Sequence, residues 1–462
     1  MSAGGRERVA RRGSADAGGR ARRPRLARGD LLPRVAAPPP GPRSRALSRR
    51  LARLEAPGVN TVGGGPALLW EEARGANVLD ADGNRFVDLT SGFGVALVGH
   101  RHPAVVAAVR RQAARLLHGL GDVHAHPARV ELAAALAARA PMPDAAVYFA
   151  ISGSDAIEAG LKTATLATGR AGVLAFSGGY HGLTLGPLAA GGRGDFRAPF
   201  AAHLHAHAVH LPFGCAASAL RRALERRTTG GSRIGCVLVE PVQGRAGVLL
   251  PPEGWLAELA AVARRHGALL IADEVLTGGG RASDTLFACT GEGVEPDLVA
   301  CGKALGGGLP FAALLGRRAV LAAWPAGGEA LHTATFLAHP LACAAALATL
   351  RLLGSSDHRR RRADLAAALA AGLAPFAELP GVAAVRGRGL LWGIELVADD
   401  GAVAWARRAA GEGVLALPAG ERGRVLELLP PAVTTPRQLE AALAGLRRAL
   451  PAASPGRCRT PR

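Results

Sequence analysis

Between residues 145 and 316 the chain alternates short apolar runs with stretches of helical spacing. The runs are AVYFA (146–150), GVLAF (172–176), IGCVLVEPV (234–242), ALLIADEV (268–275), LVACGK (298–303) and AALLG (312–316). Their apolar residues are nearly continuous, which predicts strands buried on both faces. With helices between them, they predict an α/β fold: a mostly parallel central sheet covered by helices. Upstream, NVLDADGNRFVDL places an Asp82-Gly83 turn between two apolar stretches, a hairpin signal. HPAVVAAVRRQAARLLHG has apolar residues at helical spacing with arginines opposite, and Pro103 suits a helix start.

Beyond about residue 350 this regular interleaving loosens. DLAAALAAGLAPF and PRQLEAALAGLRRAL read as helices, whereas VAAVRGRGLLWGIEL and RVLELLPPAV read as strands. A smaller α+β C-terminal domain is expected there. The expected organisation is a basic disordered extension (1–55), an N-terminal segment with the hairpin (56–100), and a large α/β domain (101–349). The small domain (350–450) and a disordered tail (451–462) follow.

Composition adds limits. Hydrophobic residues make up 49% of the chain and mean hydropathy is +0.17. Alanine supplies much of this, and no apolar run reaches the roughly 18 residues of a membrane span. The six cysteines (Cys215, Cys236, Cys289, Cys301, Cys343, Cys458) are scattered, without a C-x-x-C pair. That pattern fits reduced thiols in a cytoplasmic protein and gives no metal site. The net charge of +20 is concentrated in residues 1–55, which hold 15 arginines against Glu7, Asp16, Asp30 and Glu55. This extension reads as disordered. A passive extension, a polyanion-binding arm and a targeting segment remain open for it, but no apolar segment of a secretory signal follows. Nucleic acid is not expected as a partner of the rest.

Among the 56 lysines and arginines, only Lys162 and Lys303 are lysine. A lysine amine can lose its proton and condense with an aldehyde, and a guanidinium cannot. Lys303 ends an apolar run and precedes GGG, which allows close backbone approach. Lys162, two turns into a helix, reads as structural or surface. Asp273 and Glu274 end another apolar run, where a carboxylate must be paired or functional. A salt bridge or a metal ligand is the competing reading for them. In SGSDAIEAGLK a strand passes through a Ser-Gly-Ser turn into a helix near Asp155, a backbone arrangement suited to phosphate. Ser154 serves equally as an ordinary N-cap. A desolvated lysine, a nearby acid and a phosphate cradle together match pyridoxal 5′-phosphate.

At this level the chain resembles the class III pyridoxal-phosphate aminotransferases of fold type I over roughly residues 60–450. The resemblance rests on GHRHPAVVAAV, SGSDAIEAGLK, GGYHGLT, VEPVQG, DEVLTGGGR, PDLVACGKALGGGLP and HTATFLAHPLACAAA. It implies Lys303 as the Schiff-base lysine and Asp273 as the partner of the pyridine nitrogen. It further implies Gly153 and Ser154 at the phosphate, Tyr180 stacked over the ring, Val275 beneath it and Glu240 at the acidic position near the ring. Thr335 would reach a neighbouring subunit's phosphate, implying a homodimer with shared sites. His181 would support the pocket edge, and His100 and His102 would serve turns and packing.

The chain also departs from the pattern. Leu183 stands where many relatives carry an arginine, and Leu276 where a glutamine often contacts the ring hydroxyl. Arg245 replaces the second glutamate of EPVQGEGG, whose matching arginine is Arg386. On that alignment Arg386 lacks its carboxylate and, with Arg245, would grip an acidic acceptor. The competing reading has Arg245 pointing to solvent. The implied function is transfer of an amino group from an ω-amino acid or amine to a 2-oxo acid, 2-oxoglutarate or pyruvate, by a ping-pong mechanism. An aminomutase or racemase on the same fold is the alternative. A non-enzymatic scaffold with a nucleic-acid-binding tail is the third reading.

Overall fold

The computed structural model describes residues 25–58 and 67–451. A seven-stranded sheet forms its centre. Across it run Ala145–Ala150, Ala312–Arg317, Leu298–Gly302, Leu269–Asp273, Ile234–Val239, Gly172–Phe176 and Ala208–Leu211. Every apolar run expected to be a strand is one. The edge strand Ala208–Leu211 is an addition, too short and too exposed to leave an apolar signature.

Strand alternation explains why those runs are continuous. Leu238 and Ile271 pack beneath the helix Gly153–Thr168, whereas Val237, Val239, Leu270 and Ala272 join the larger core on the other face. Both faces are therefore apolar, as burial on both sides requires. The sheet is mixed, because Ala312–Arg317 runs antiparallel to both neighbours. Residues 303–311 separate it from Leu298–Gly302, which is too short for the crossover a parallel return would need.

Two four-stranded sheets complete the fold. The hairpin Asn77–Asp80 and Arg85–Asp88 joins Trp70–Arg74 and, in parallel, Val414–Leu415 from the C-terminal region. Val382–Arg388, Leu391–Leu396, Val425–Leu428 and Leu417–Ala419 form an antiparallel sheet. Ser356–Leu373, Gly401–Gly411 and Pro436–Ala449 are the helices of this region.

The expectation of a disordered extension is corrected for residues 25–55. Leu26 is buried and its N–H donates to Glu72 Oε2 at 2.9 Å. Arg34 bridges to Arg85. Asn77 Oδ1 accepts from Leu31 N at 2.8 Å, and Gln438 Nε2 donates to the Gly29 and Leu31 carbonyls. The helix Pro42–Leu51 starts on Asp82, whose carboxylate accepts from Arg43 N and Ser44 N. Its order comes from distant polar side chains satisfying its backbone, not from local periodicity. Residues 1–24 and 452–462 lie outside the described residues.

The five described cysteines are all free. Among the described residues, no helix is long and apolar enough to cross a membrane.

Candidate active site

The carboxyl ends of the parallel strands bring the expected residues together, on the side where open α/β sheets place their ligands. Leu298–Gly302 leads into Lys303, Leu269–Asp273 ends on Asp273, and Ile234–Val239 is followed by Glu240. Gly172–Phe176 leads into the loop carrying Tyr180 and His181, and Ala145–Ala150 turns at Ser152 into the helix Gly153–Thr168.

Lys303 sits at φ 42, in the left-handed region that a lysine seldom adopts. The backbone turns sharply there because Gly307 and Gly308, both at positive φ, must send the chain back into an antiparallel strand. Burial lowers the Lys303 pKa, while the charges of Glu427, Asp273 and Glu240 pull it back up. Desolvation makes the free amine more accessible near neutral pH.

Asp273 is 5% exposed, and its two oxygens are held differently. Oδ1 accepts from Val275 N at 3.1 Å and Oδ2 contacts His181 Nδ1 at 2.8 Å. Burial works to lower the His181 pKa, but the hydrogen bond and charge of Asp273 outweigh it and the net shift is upward. The pair therefore favours a protonated imidazole. Glu274, next in sequence, faces away and is structural: it accepts from Cys289 N at 2.7 Å and from the Thr277 hydroxyl.

Glu240 is buried and accepts from Tyr180 N at 2.8 Å, so it fixes the backbone of the loop that presents the Tyr180 ring. Burial raises its pKa, Asp273 adds to the rise and His181 opposes it. Tyr180 also meets Phe196 edge-on at 5.8 Å. Ser152, rather than Ser154, caps the helix, accepting from Asp155 N at 3.1 Å. Ser154 Oγ is thereby left beside Thr184 Oγ1 at 2.6 Å.

Two glycines permit close packing at this helix start. A Cβ on Gly153 would lie 2.8 Å from Val275 Cγ1, and one on Gly182, at φ 115, would lie 2.2 Å from Ser154 Oγ. Backbone without side chains, hydroxyls and a helix N-terminus fit a phosphate, and an ionised buried carboxylate fits a protonated pyridine nitrogen. On this donor set the residues fit pyridoxal phosphate.

The remaining expected residues fall elsewhere. Thr335 lies on an exposed loop whose carbonyl is near Gly121, and it makes no hydrogen bond to the cluster. Leu183 is 53% exposed. Lys162 Nζ contacts His332 Nδ1 at 3.0 Å, and His332 Nε2 contacts Asp155 Oδ1 at 3.0 Å. His100 contacts Asp88, and His102 caps the helix Pro103–Ala113.

Arg386 is the correction. It does not lack a carboxylate: Nη1 pairs with Glu395 Oε2 at 2.6 Å. Its Nε and Nη2 donate to the Gly247 carbonyl at 3.0 and 2.7 Å, and Nε also reaches Val248. Glu395 lies on the neighbouring strand, so a cross-strand acid replaces the one missing from EPVQGRAG. Arg245 is half-buried rather than solvated, with Nη1 on the Pro418 carbonyl at 3.2 Å.

Sequence reading missed Arg281 and Glu427. Both are buried and electrostatically coupled to Lys303. Arg281 ends the DEVLTGGGR motif, but Glu427 looks like any strand residue in RVLELLPPAV and carried no local signal.

The family model for Aminotransferase class-III matches residues 60–450. An acetylornithine aminotransferase of Methanopyrus kandleri is 39% identical over 376 residues, covering 81% of this chain and 92% of that protein. One from Mycolicibacterium smegmatis is 38% identical over 396 residues, covering 86% and 96%. Among solved structures, an amine transaminase from an uncultivated Pseudomonas species, in its PLP-bound form, superposes with a TM-score of 0.77 at 30% identity. The alignment covers 86% of this chain and 98% of that one. With a strand-end lysine and acid, a helix N-terminus flanked by hydroxyls and a family match over most of its length, the chain belongs to the class III aminotransferases and its cofactor is pyridoxal phosphate.

Proposed function

We propose that the protein transfers an amino group from an ω-amino acid or amine to a 2-oxo acid, 2-oxoglutarate or pyruvate, in a ping-pong sequence. The observation that carries this reading is the Lys303 amine, its pKa lowered by burial, at a strand end beside a buried Asp273 locked by His181. The cofactor supplies an aldehyde for amines and a ring that takes up electrons when the donor's Cα–H bond breaks. Lys303 holds and moves the proton between Cα and the cofactor carbon, a role worth about 10²–10⁴-fold in rate. Asp273 would hold the ring nitrogen, where a negative charge favours protonation, and His181 keeps Asp273 oriented.

Gly153 and Ser154 would hold the phosphate, Tyr180 and Val275 would cover the two ring faces, and Glu240 would hold the Tyr180 loop. The names of the similar proteins, two acetylornithine aminotransferases and an amine transaminase, favour a donor whose reacting amine is not an α-amino group. A homodimer belongs to the proposal. Phe93, Leu117, Leu120, Val123, Leu331 and Phe336 are each more than half exposed, apolar side chains that a partner subunit would cover. Thr335 shares that surface and would act across it. Five free thiols support a reducing, cytoplasmic setting.

The test is a donor-by-acceptor screen on purified protein, with Lys303→Ala as the blank. Donors should bleach the visible absorption of the lysine-bound cofactor, and a 2-oxo acid should restore it. Borohydride should fix the cofactor on Lys303. Turnover without any 2-oxo acid, or cofactor fixed elsewhere, would sink the proposal.

A further inference from the structure

Glu427 is the buried acid in the Lys303 pocket to which no role has been assigned. It lies within Val425–Leu428, opposite Gly393 on one neighbouring strand and Leu417 on the other. It is 2% exposed, and its Oε1 is sealed from solvent without a hydrogen-bond partner among the described residues. Burial raises its pKa, and the charges of Arg245, Lys303 and Arg281 pull it down. It is also the foremost charge acting on Lys303. A buried carboxylate with a free oxygen is costly unless something pairs with it.

Arg281 shows the same incompleteness with opposite sign. It is fully buried, Nη2 donates to the Gly94 carbonyl at 2.8 Å, and Nε and Nη1 have no partner. Burial lowers its pKa to about 10 even though Glu427 and Asp88 oppose that shift. Yet no ion pair joins Arg281 to Glu427. Leu276 lies near both. Its Cδ1 lies 2.9 Å from the Cβ position of Gly94, beside which Arg281 Nε lies at 3.7 Å. Its Cδ2 lies 2.1 Å from the Cβ position of Gly244, beside which Glu427 Oε1 lies at 3.3 Å. Leu276 therefore packs near both the acid and the guanidinium, which do not pair, and each keeps a buried polar atom without a hydrogen-bond partner.

We propose that Glu427 selects amino donors carrying a second cationic group, an ammonium or guanidinium, at the end away from the reacting amine. This rests on the transaminase reading above and names its donor class. A donor amine comes to the place that the Lys303 amine occupies, within reach of the Glu427 charge. A distal cation would complete the free Oε1 with a charge-assisted hydrogen bond. A distal carboxylate would meet like charge in a poorly screened site. Arg281, with two unpaired nitrogens, remains available to the carboxylate of the acceptor in the other half-reaction.

The test uses the holoenzyme with saturating pyruvate and three donors of equal length: 1,4-diaminobutane, n-butylamine and 4-aminobutanoate. The diamine should exceed both others in kcat/KM by about 10- to 100-fold, the range of one charge-assisted hydrogen bond. Glu427→Gln should remove that advantage mainly through KM, bringing the diamine to the n-butylamine level within the same variant. Calorimetry on Lys303→Ala, which cannot turn over, gives a second readout. Diaminobutane should bind more tightly than butylamine, and adding Glu427→Gln should abolish the difference. Equal or better use of 4-aminobutanoate by the unaltered protein overturns the proposal without needing any variant to fold. So does a Glu427→Gln loss shared by all three donors, because Glu427 would then only tune Lys303. If no donor of any class bleaches the cofactor, the transaminase reading itself has failed and this inference falls with it.

Discussion

Replacing His181 with leucine would leave Asp273 buried with one oxygen unpaired, and the consequence can be worked through. The Nδ1 to Oδ2 contact is 2.8 Å between two buried side chains, so water cannot substitute for it. A hydrogen bond to a charged group contributes about 1.5–3 kcal/mol, and stranding its partner adds desolvation cost. The expected loss for His181→Leu is therefore about 3 kcal/mol. Part of the effect depends on pH. The folded-state pKa of His181 is raised, so the charged pair stabilises fully below the unfolded value near 6.5, and that part is lost as pH rises through the folded pKa. Above it a neutral hydrogen bond of about 1 kcal/mol remains. The assay is a double-mutant cycle with Asp273→Asn, read by urea unfolding of cofactor-free protein at pH 6 and pH 9. Coupling of about 2–3 kcal/mol at pH 6, shrinking by pH 9, is the expected result. Coupling below about 0.5 kcal/mol at pH 6, or coupling that grows with pH, would refute the reasoning.

Other expectations follow from single contacts. Gly182→Ala should weaken cofactor binding by at least about tenfold in a fluorescence titration, because the new methyl meets both Ser154 Oγ and its Cα at a backbone φ of 115. Arg386→Ala should cost about 2–4 kcal/mol in stability while leaving the 2-oxo acid KM within about twofold, since the side chain is spent on Glu395 and two carbonyls. Burial, aided by Arg362, lowers the His358 pKa to about 4, so the folded state favours the neutral ring. That stability is present above about pH 6.5 and is lost as pH falls towards 4; thermal melts should lose about 2–3 kcal/mol over this window, and His358→Gln should flatten the profile.

The apolar runs of the central sheet were legible because strands buried on two faces leave no polar alternation to confuse them. The short edge strand Ala208–Leu211 was not, since an edge needs little apolar area. Lys303 and Asp273 stood out because each is a charged residue ending an apolar run. His181 could be placed near the pocket, but not as the partner of Asp273 across 92 positions of sequence.

What the sequence determined by itself is the set of groups that local spacing delivers to strand ends: the lysine, the acid, the Ser-Gly-Ser turn and the aromatic loop. A strand that ends at a given residue presents that residue at the sheet's edge whatever else happens. Only the tertiary structure decided which charges neutralise one another. It gave Arg386 to Glu395, tied residues 25–55 to Asn77, Asp82 and Gln438, and left Arg281 and Glu427 buried without pairing. Coulomb energy and desolvation depend on distance and burial in space, and neither can be read from separation along a chain.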